Sequence, residues 1–107
     1  MSFKFNPDIL LEVPEKEKFL AFFKDILGLK VEKYTEDLHE VQTGSVNFYL
    51  KESENFKVIF DFLVTNPEES RDNLVKNANC GLHRWDTTGH HIEHSSGFTF
   101  NLGYDSP

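Results

Sequence analysis

Apolar residues recur with two different periods along this chain. Between residues 19 and 27, Phe19, Phe22, Phe23, Ile26 and Leu27 fall at i, i+3, i+4, i+7 and i+8, the stripe of an amphipathic helix. Four other stretches alternate, as half-buried strands do. Over 8–13, Ile9, Leu11 and Val13 oppose Asp8, Leu10 and Glu12. Over 45–51, Val46, Phe48 and Leu50 oppose Asn47 and Tyr49. Over 56–64, Val58, Phe60, Phe62 and Val64 oppose Ile59, Asp61 and Leu63. Over 98–104, Phe98, Phe100, Leu102 and Tyr104 oppose Thr99, Asn101 and Gly103.

Turn and cap residues divide these segments. Pro14, with Glu15 and Glu17 behind it, suits the start of the first helix, and Gly28 suits its left-handed end, with Leu29 folding back on Phe23. Asn66, Pro67 and Glu69 read as cap, first helical position and capping-box acid of a second helix. That helix carries Leu74, Val75 and Ala78 and is expected to end before Gly81-Leu82. Pro14, Gly28 and Gly44 are spaced as Pro67, Gly81 and Gly97 are. The order strand, helix, strand, strand, strand repeats with them, which points to a duplication. The fold class expected is α+β, a single domain of two βαβββ modules, about 1–52 and 53–107, joined in the polar "KESEN" of 51–55.

One face of each alternating strand is greasy and needs helices against it. The other face is mixed. Leu10, Tyr49, Ile59 and Leu63 are too apolar for bare surface, while Asp8, Asp61 and Asn101 are too polar for a sealed core. Such a face is expected to line a ligand cavity.

Charge narrows the ligand. The 107 residues carry a formal net charge of −7 and no basic run, so nucleic acid is excluded as the expected partner. A cationic or neutral small molecule suits the field better. A single cysteine, Cys80, allows no intrachain disulfide and fits a reducing cytoplasm. The opening "MSFKFNPDIL" has no signal-peptide pattern, and no apolar run is long enough to span a bilayer.

Asp61, set inside the apolar run "VIFDFLV", is the sharpest candidate for a ligand contact or general base, with Asp8 beside it as a second carboxylate or a wet strand end. In "HRWDTTGHHIEH", His90 and His94 share a strand face and His91 lies with Glu93 on the other. Two histidines at that spacing can share a metal. A solvated hairpin turning at Asp86-Thr87-Thr88-Gly89, with His83 before it, is the preferred reading. Trp85 is either core or a stacking wall for a flat ligand. Cys80 has no basic neighbour in sequence and reads as small and structural.

The order of phrases resembles the glyoxalase/bleomycin-resistance/dioxygenase superfamily, the vicinal oxygen chelate domains. "ILLEVPEKEKFLAFFKDILGLKVEKY" is similar to its first half, with Phe22-Phe23-Lys24-Asp25-Ile26-Leu27-Gly28 standing for its Phe-Tyr-x-x-x-Leu-Gly phrase. "GSVNFYLKES" resembles its fourth strand, "FDFLVTNPEESRDNL" its fifth strand and second helix, and "HSSGFTFNL" its closing phrase. His94, Ser95 and Ser96 replace the usual Asp-Pro turn there. The resemblance implies a curved, mostly antiparallel sheet around a cavity, with helices on the outer face. In metal-using members, histidine and glutamate ligands come from strands one, four, five and eight. Those positions fall here on Asp8, Tyr49, Ile59 (or Asp61, if strand five is shifted) and Asn101, with no histidine among them.

The function expected is therefore metal-free, cofactor-free binding of a small organic molecule, in the manner of an antibiotic- or metabolite-sequestering protein. Its expected ligand contacts are Asp8, Leu10, Tyr49, Ile59, Asp61, Trp85 and Asn101, and no catalytic residue is assigned. The alternatives are a metal-dependent lyase, isomerase or dioxygenase of the same fold, and an interaction module with a vestigial cavity. Eleven phenylalanines in so short a chain, and the family habit of pairing modules, add the expectation of a homodimer.

Overall fold

The computed structural model describes residues 2–82 and 91–105. Its contacts divide the chain into two compact units: Pro7–Ile59, and the remaining residues on either side.

The Pro7–Ile59 unit takes most of β1 (Lys4–Val13), then α1 (Lys16–Ala21), β2 (Lys30–Lys33), β3 (Leu38–Gln42) and β4 (Asn47–Glu52). Its strands lie in the order β2-β3-β4-β1, with β1 parallel to β4 and the other pairs antiparallel. Register sets Ile9 beside Phe48, Leu11 beside Leu50, and Val41 across from Phe48, all on one face. That face is the core: Ile9, Leu11, Val13, Val41 and Leu50 are buried. Helix α1 packs on β4 and adds Leu20, the one buried residue it carries. The Phe23 and Phe48 rings meet with centroids 5.8 Å apart.

The first helix differs from the expected stripe. After α1 the chain makes a π-helical turn over Phe22–Ile26, in which the Leu27 N–H reaches back to the Phe22 carbonyl at 3.1 Å. The extra residue in that turn rotates the later side chains off the 3.6-residue period. Phe22, Ile26 and Leu27 consequently stay 47, 72 and 49% exposed, and Leu20 is buried instead. The stop at Gly28 is as expected. Gly28 adopts φ 69°, and the Leu29 N–H bonds the Phe23 carbonyl at 3.0 Å.

In the other unit, β5 (Lys57–Val64), of which Phe60 onward belongs here, is followed by α2 (Pro67–Asn77), β6 (Cys80–Leu82), β7 (His91–His94) and β8 (Thr99–Tyr104). The order β5-β8-β7-β6 repeats that of the first unit. Val64, Ile92, Phe100 and Leu102 form its core, flanked by Phe3, Phe60, Phe62, Leu74 and Cys80. The Asn66 side chain accepts from the Glu69 N–H at 3.0 Å and donates to its carboxylate at 3.2 Å, a reciprocal cap. Gly44 and Gly97, paired by the duplication, both adopt positive φ, 103° and 97°. The pairing of Gly28 with Gly81 does not carry over. Asn79 takes the left-handed position at φ 55°, two residues earlier, and Gly81 lies inside β6. Asparagine tolerates that conformation through local hydrogen bonding. Val75, expected to pack, is 46% exposed.

The two units repeat one βαβββ pattern in an α+β fold. The rotation at the π turn makes a sharp ranking. Leu20→Ala should destabilise the protein by about 2–4 kcal/mol in chemical denaturation, whereas Ile26→Ala should change stability by less than about 0.5 kcal/mol. The reverse ranking would restore the uninterrupted helix.

Candidate functional site

Burying one face of each strand sends the alternate residues to the other face. In the Pro7–Ile59 unit, register arranges that second face in three rows. Lys30, Gln42, Asn47 and Asp8 form the first. Glu32, Glu40, Tyr49 and Leu10 form the second, and Leu38, Lys51 and Glu12 lie in the third. Tyr34 joins the third row through its N–H bond to the Leu38 carbonyl at 2.9 Å.

Tyr49 is the centre of this face. Its hydroxyl donates to Glu40 Oε2 at 2.9 Å, while the Gln42 amide donates to Glu40 Oε1 at 3.0 Å. The ring of Tyr34 meets that of Tyr49 edge to face, 5.1 Å between centroids at 71°. Burial pushes the Tyr49 phenol up to about 12, and the bond to Glu40 and the charges of Asp8 and Glu40 act in the same direction. The Gln42 and Tyr49 hydrogen bonds hold the Glu40 carboxyl below its ordinary range, so it stays ionised.

The other unit has its own polar group. Asp61 accepts the Asn6 amide on one carboxylate oxygen at 2.6 Å and the Asn101 amide on the other at 3.1 Å. His91 lies in register with Asn101, and Glu93 with Thr99, so both share this face. A Cβ built on Gly103 would stand 2.8 Å from Leu63 Cδ2 and 3.8 Å from Asp61 Oδ1. The missing side chain at 103 leaves the room that Leu63 Cδ2 takes.

Of the expected contacts, Asp8, Leu10, Tyr49, Asp61 and Asn101 are all half-buried on the faces assigned to them, and Ile59 is 2% exposed. Asp61 and Asn101 are bonded to each other, and Leu10 and Tyr49 are register partners. Trp85, His83 and His90 lie outside the described residues. His94 turns to the opposite face from His91, where its Nδ1 accepts the Ser96 N–H at 3.1 Å. Cys80 packs against the core, and burial raises its thiol above the usual range, as suits a structural residue. Asn6, Glu40, Gln42 and Tyr34 were not expected. Asn6 shares parity with Asp8, and Glu40 and Gln42 alternate with His39 and Val41, so the period-two signal for them is in the chain.

The positions that the resemblance assigns to a transition metal fit it poorly: none is a histidine or thiolate, Ile59 offers no donor, the Asn101 amide is directed at Asp61, and Asp8 and Asp61 leave an oxygen-only set. Among the described residues, no three His, Cys, Asp or Glu side chains converge on a metal position.

No family model matches the chain, and no curated protein matches it. Solved structures do. One is a glyoxalase/bleomycin resistance protein/dioxygenase superfamily member from Vibrio splendidus 12B01, 17% identical, with a TM-score of 0.69 over 95% of this chain and 100% of that one. An extradiol ring-cleaving dioxygenase from B. fuscum is 18% identical, with a TM-score of 0.66 over 99% of this chain and 34% of that one. Homoprotocatechuate 2,3-dioxygenase from Arthrobacter globiformis is 18% identical, with a TM-score of 0.65 over 98% of this chain and 37% of that one. The chain thus spans about a third of the length of the dioxygenases it matches. At these identities the likeness establishes the fold alone, which this chain shares with those structures.

The state of Tyr49 is open to direct test. A phenol held above its unfolded value of about 10 stabilises the fold at every pH below that value, and the contribution is lost as pH rises through about 12. Ultraviolet titration should show a tyrosinate step near 12 that is absent in Tyr49→Phe and moves down in Glu40→Gln. An unchanged highest step in Tyr49→Phe would contradict the assignment.

Proposed function

We propose that this protein binds a small organic molecule on the mixed faces of its strands, without a transition metal, and that it acts by holding that molecule. The observation that carries this reading is Asp61. A carboxylate inside an apolar strand is clamped by two side-chain amides that fix both of its oxygens, next to Leu63 and in a row with other polar groups. A carboxylate with no partner chemistry to serve would cost less at a solvated strand end. Sequestration of an antibiotic or metabolite is the specific form we favour, and Asp8, Leu10, Tyr49, Ile59, Asp61, Trp85 and Asn101 are the contacts we assign.

We place the protein in the cytoplasm, on its single cysteine. Among the described residues, no helix is long and apolar enough to cross a membrane. The exposure of Phe22 and Ile26 in the π turn, and of Leu27 just after it, supports pairing of two copies.

Elemental analysis and native mass spectrometry of untagged protein test this reading together. The expected result is no stoichiometric zinc, iron, nickel or manganese, with a small organic mass retained under gentle desolvation. One equivalent of a transition metal per chain would overturn it and favour a metal-dependent lyase, isomerase or dioxygenase. A second experiment concerns Asp61 alone. Asp61→Asn, which sets an amide donor against the Asn6 or Asn101 amide, should destabilise the fold by about 1–3 kcal/mol yet leave it folded, while altering ligand affinity more than about tenfold, as expected when a charge-assisted contact is lost.

A further inference from the structure

We propose that the corner formed by Tyr34 and Tyr49 in the Pro7–Ile59 unit binds the ammonium head of an organic cation. The proposal rests on the reading of these faces as small-molecule surfaces and adds the chemical class of the molecule.

Ring geometry comes first. The two tyrosine rings meet edge to face at 71° with centroids 5.1 Å apart, so the edge of one covers part of a face of the other and the uncovered ring face beside the contact forms a corner, which solvent reaches because Tyr34 is 60% exposed. Aromatic faces carry the negative lobe of the ring quadrupole, which attracts a cation and has nothing to offer an anion. The Tyr49 hydroxyl donates a hydrogen bond to the Glu40 carboxylate, which adds electron density to its ring. Its neutral phenol makes it a poor ligand for a bare metal ion but leaves it a good wall for a soft, alkylated one.

Charge and shape agree. The three rows of this face hold four carboxylates, Asp8, Glu12, Glu32 and Glu40, against two ammonium groups, Lys30 and Lys51. Lys30 is engaged with Glu32 at 3.1 Å. Each oxygen of Glu40 accepts one hydrogen bond, and a carboxylate oxygen has room for a second, so Glu40 can face a bound cation without giving up Gln42 or Tyr49. Leu10, in register with Tyr49, and Leu38, bonded through its backbone to Tyr34, supply apolar surface for the carbon part of the ligand. A hydrated alkali ion has no use for that surface, whereas an alkylammonium does.

Choline and its uncharged isostere, 3,3-dimethylbutan-1-ol, are suitable probes, tracked by NMR titration of the backbone amide and tyrosine ring resonances of the whole chain. Choline should shift the Tyr34 and Tyr49 resonances saturably, and the neutral alcohol should bind about tenfold more weakly or worse. Glu40→Gln should weaken choline about fivefold, and added salt should weaken it further. Tyr34→Leu, at an exposed position where folding is not at risk, should abolish the shifts at Tyr49, while Tyr34→Phe should keep them. Equal binding of choline and the alcohol, or full binding by Tyr34→Leu, would overturn the proposal. Choline shifts confined to Asp61, Asn101 and His91 would also overturn it, yet would leave the small-molecule reading of the protein standing.

Discussion

Everything distinctive about this molecule depends on the alternation of its strands against a sealed face. Val13, Val41 and Leu50 in one unit and Ile92 and Leu102 in the other are almost wholly removed from water. A slip of one residue in β1, β4 or β8 would exchange Val13, Leu50 or Leu102 for Glu12, Tyr49 or Asn101. Desolvating those polar groups without partners would cost several kcal/mol each, on the order of the stability of a domain this size. The core therefore fixes the polar face as firmly as it fixes itself.

That constraint explains why the two carboxylates at the centres of the two faces are so similarly dressed. Glu40 takes a phenol and an amide, and Asp61 takes two amides. In each case the donors come from neighbouring strands or from the next alternate residue on the same strand, the positions that register brings into reach. The donors on each carboxylate are neutral, a phenol and an amide at Glu40 and two amides at Asp61, and they limit its freedom to rotate. Fold alone does not fix function, and Ile59 offers no donor atom while the Asn101 amide is engaged with Asp61.

Much of the fold was legible in the chain. Period-two alternation is strong over β1, β4, β5 and β8, and the Asn66-Pro67-Glu69 cap and the Gly28 stop are local signals that tertiary structure leaves alone. What was not legible has physical causes. The π turn at Phe22–Ile26 rotates the helix off its own stripe, and no residue type in "FFKDI" announces it. Asn79 replaces glycine at the end of α2 because asparagine can also adopt positive φ, so the expected boundary fell two residues late. On the candidate faces, Asp61 and Asn101 were legible through parity. Asn6 and Glu40 carry the same parity signal but a weaker one, because β1 begins four residues earlier than its apolar pattern and β3 is only five residues long.

The central claim is that the mixed faces, and not the exposed aromatic residues elsewhere, are where this protein meets its ligand. Backbone and side-chain NMR shifts, mapped during titration with a set of small polar-aromatic fragments, address it most directly. The account predicts that shifts gather on residues such as Asn6, Tyr49, Asp61 and Asn101 and spare Phe22, Ile26 and Phe98. Shifts gathered on those three exposed apolar side chains, with the mixed faces silent, would contradict it.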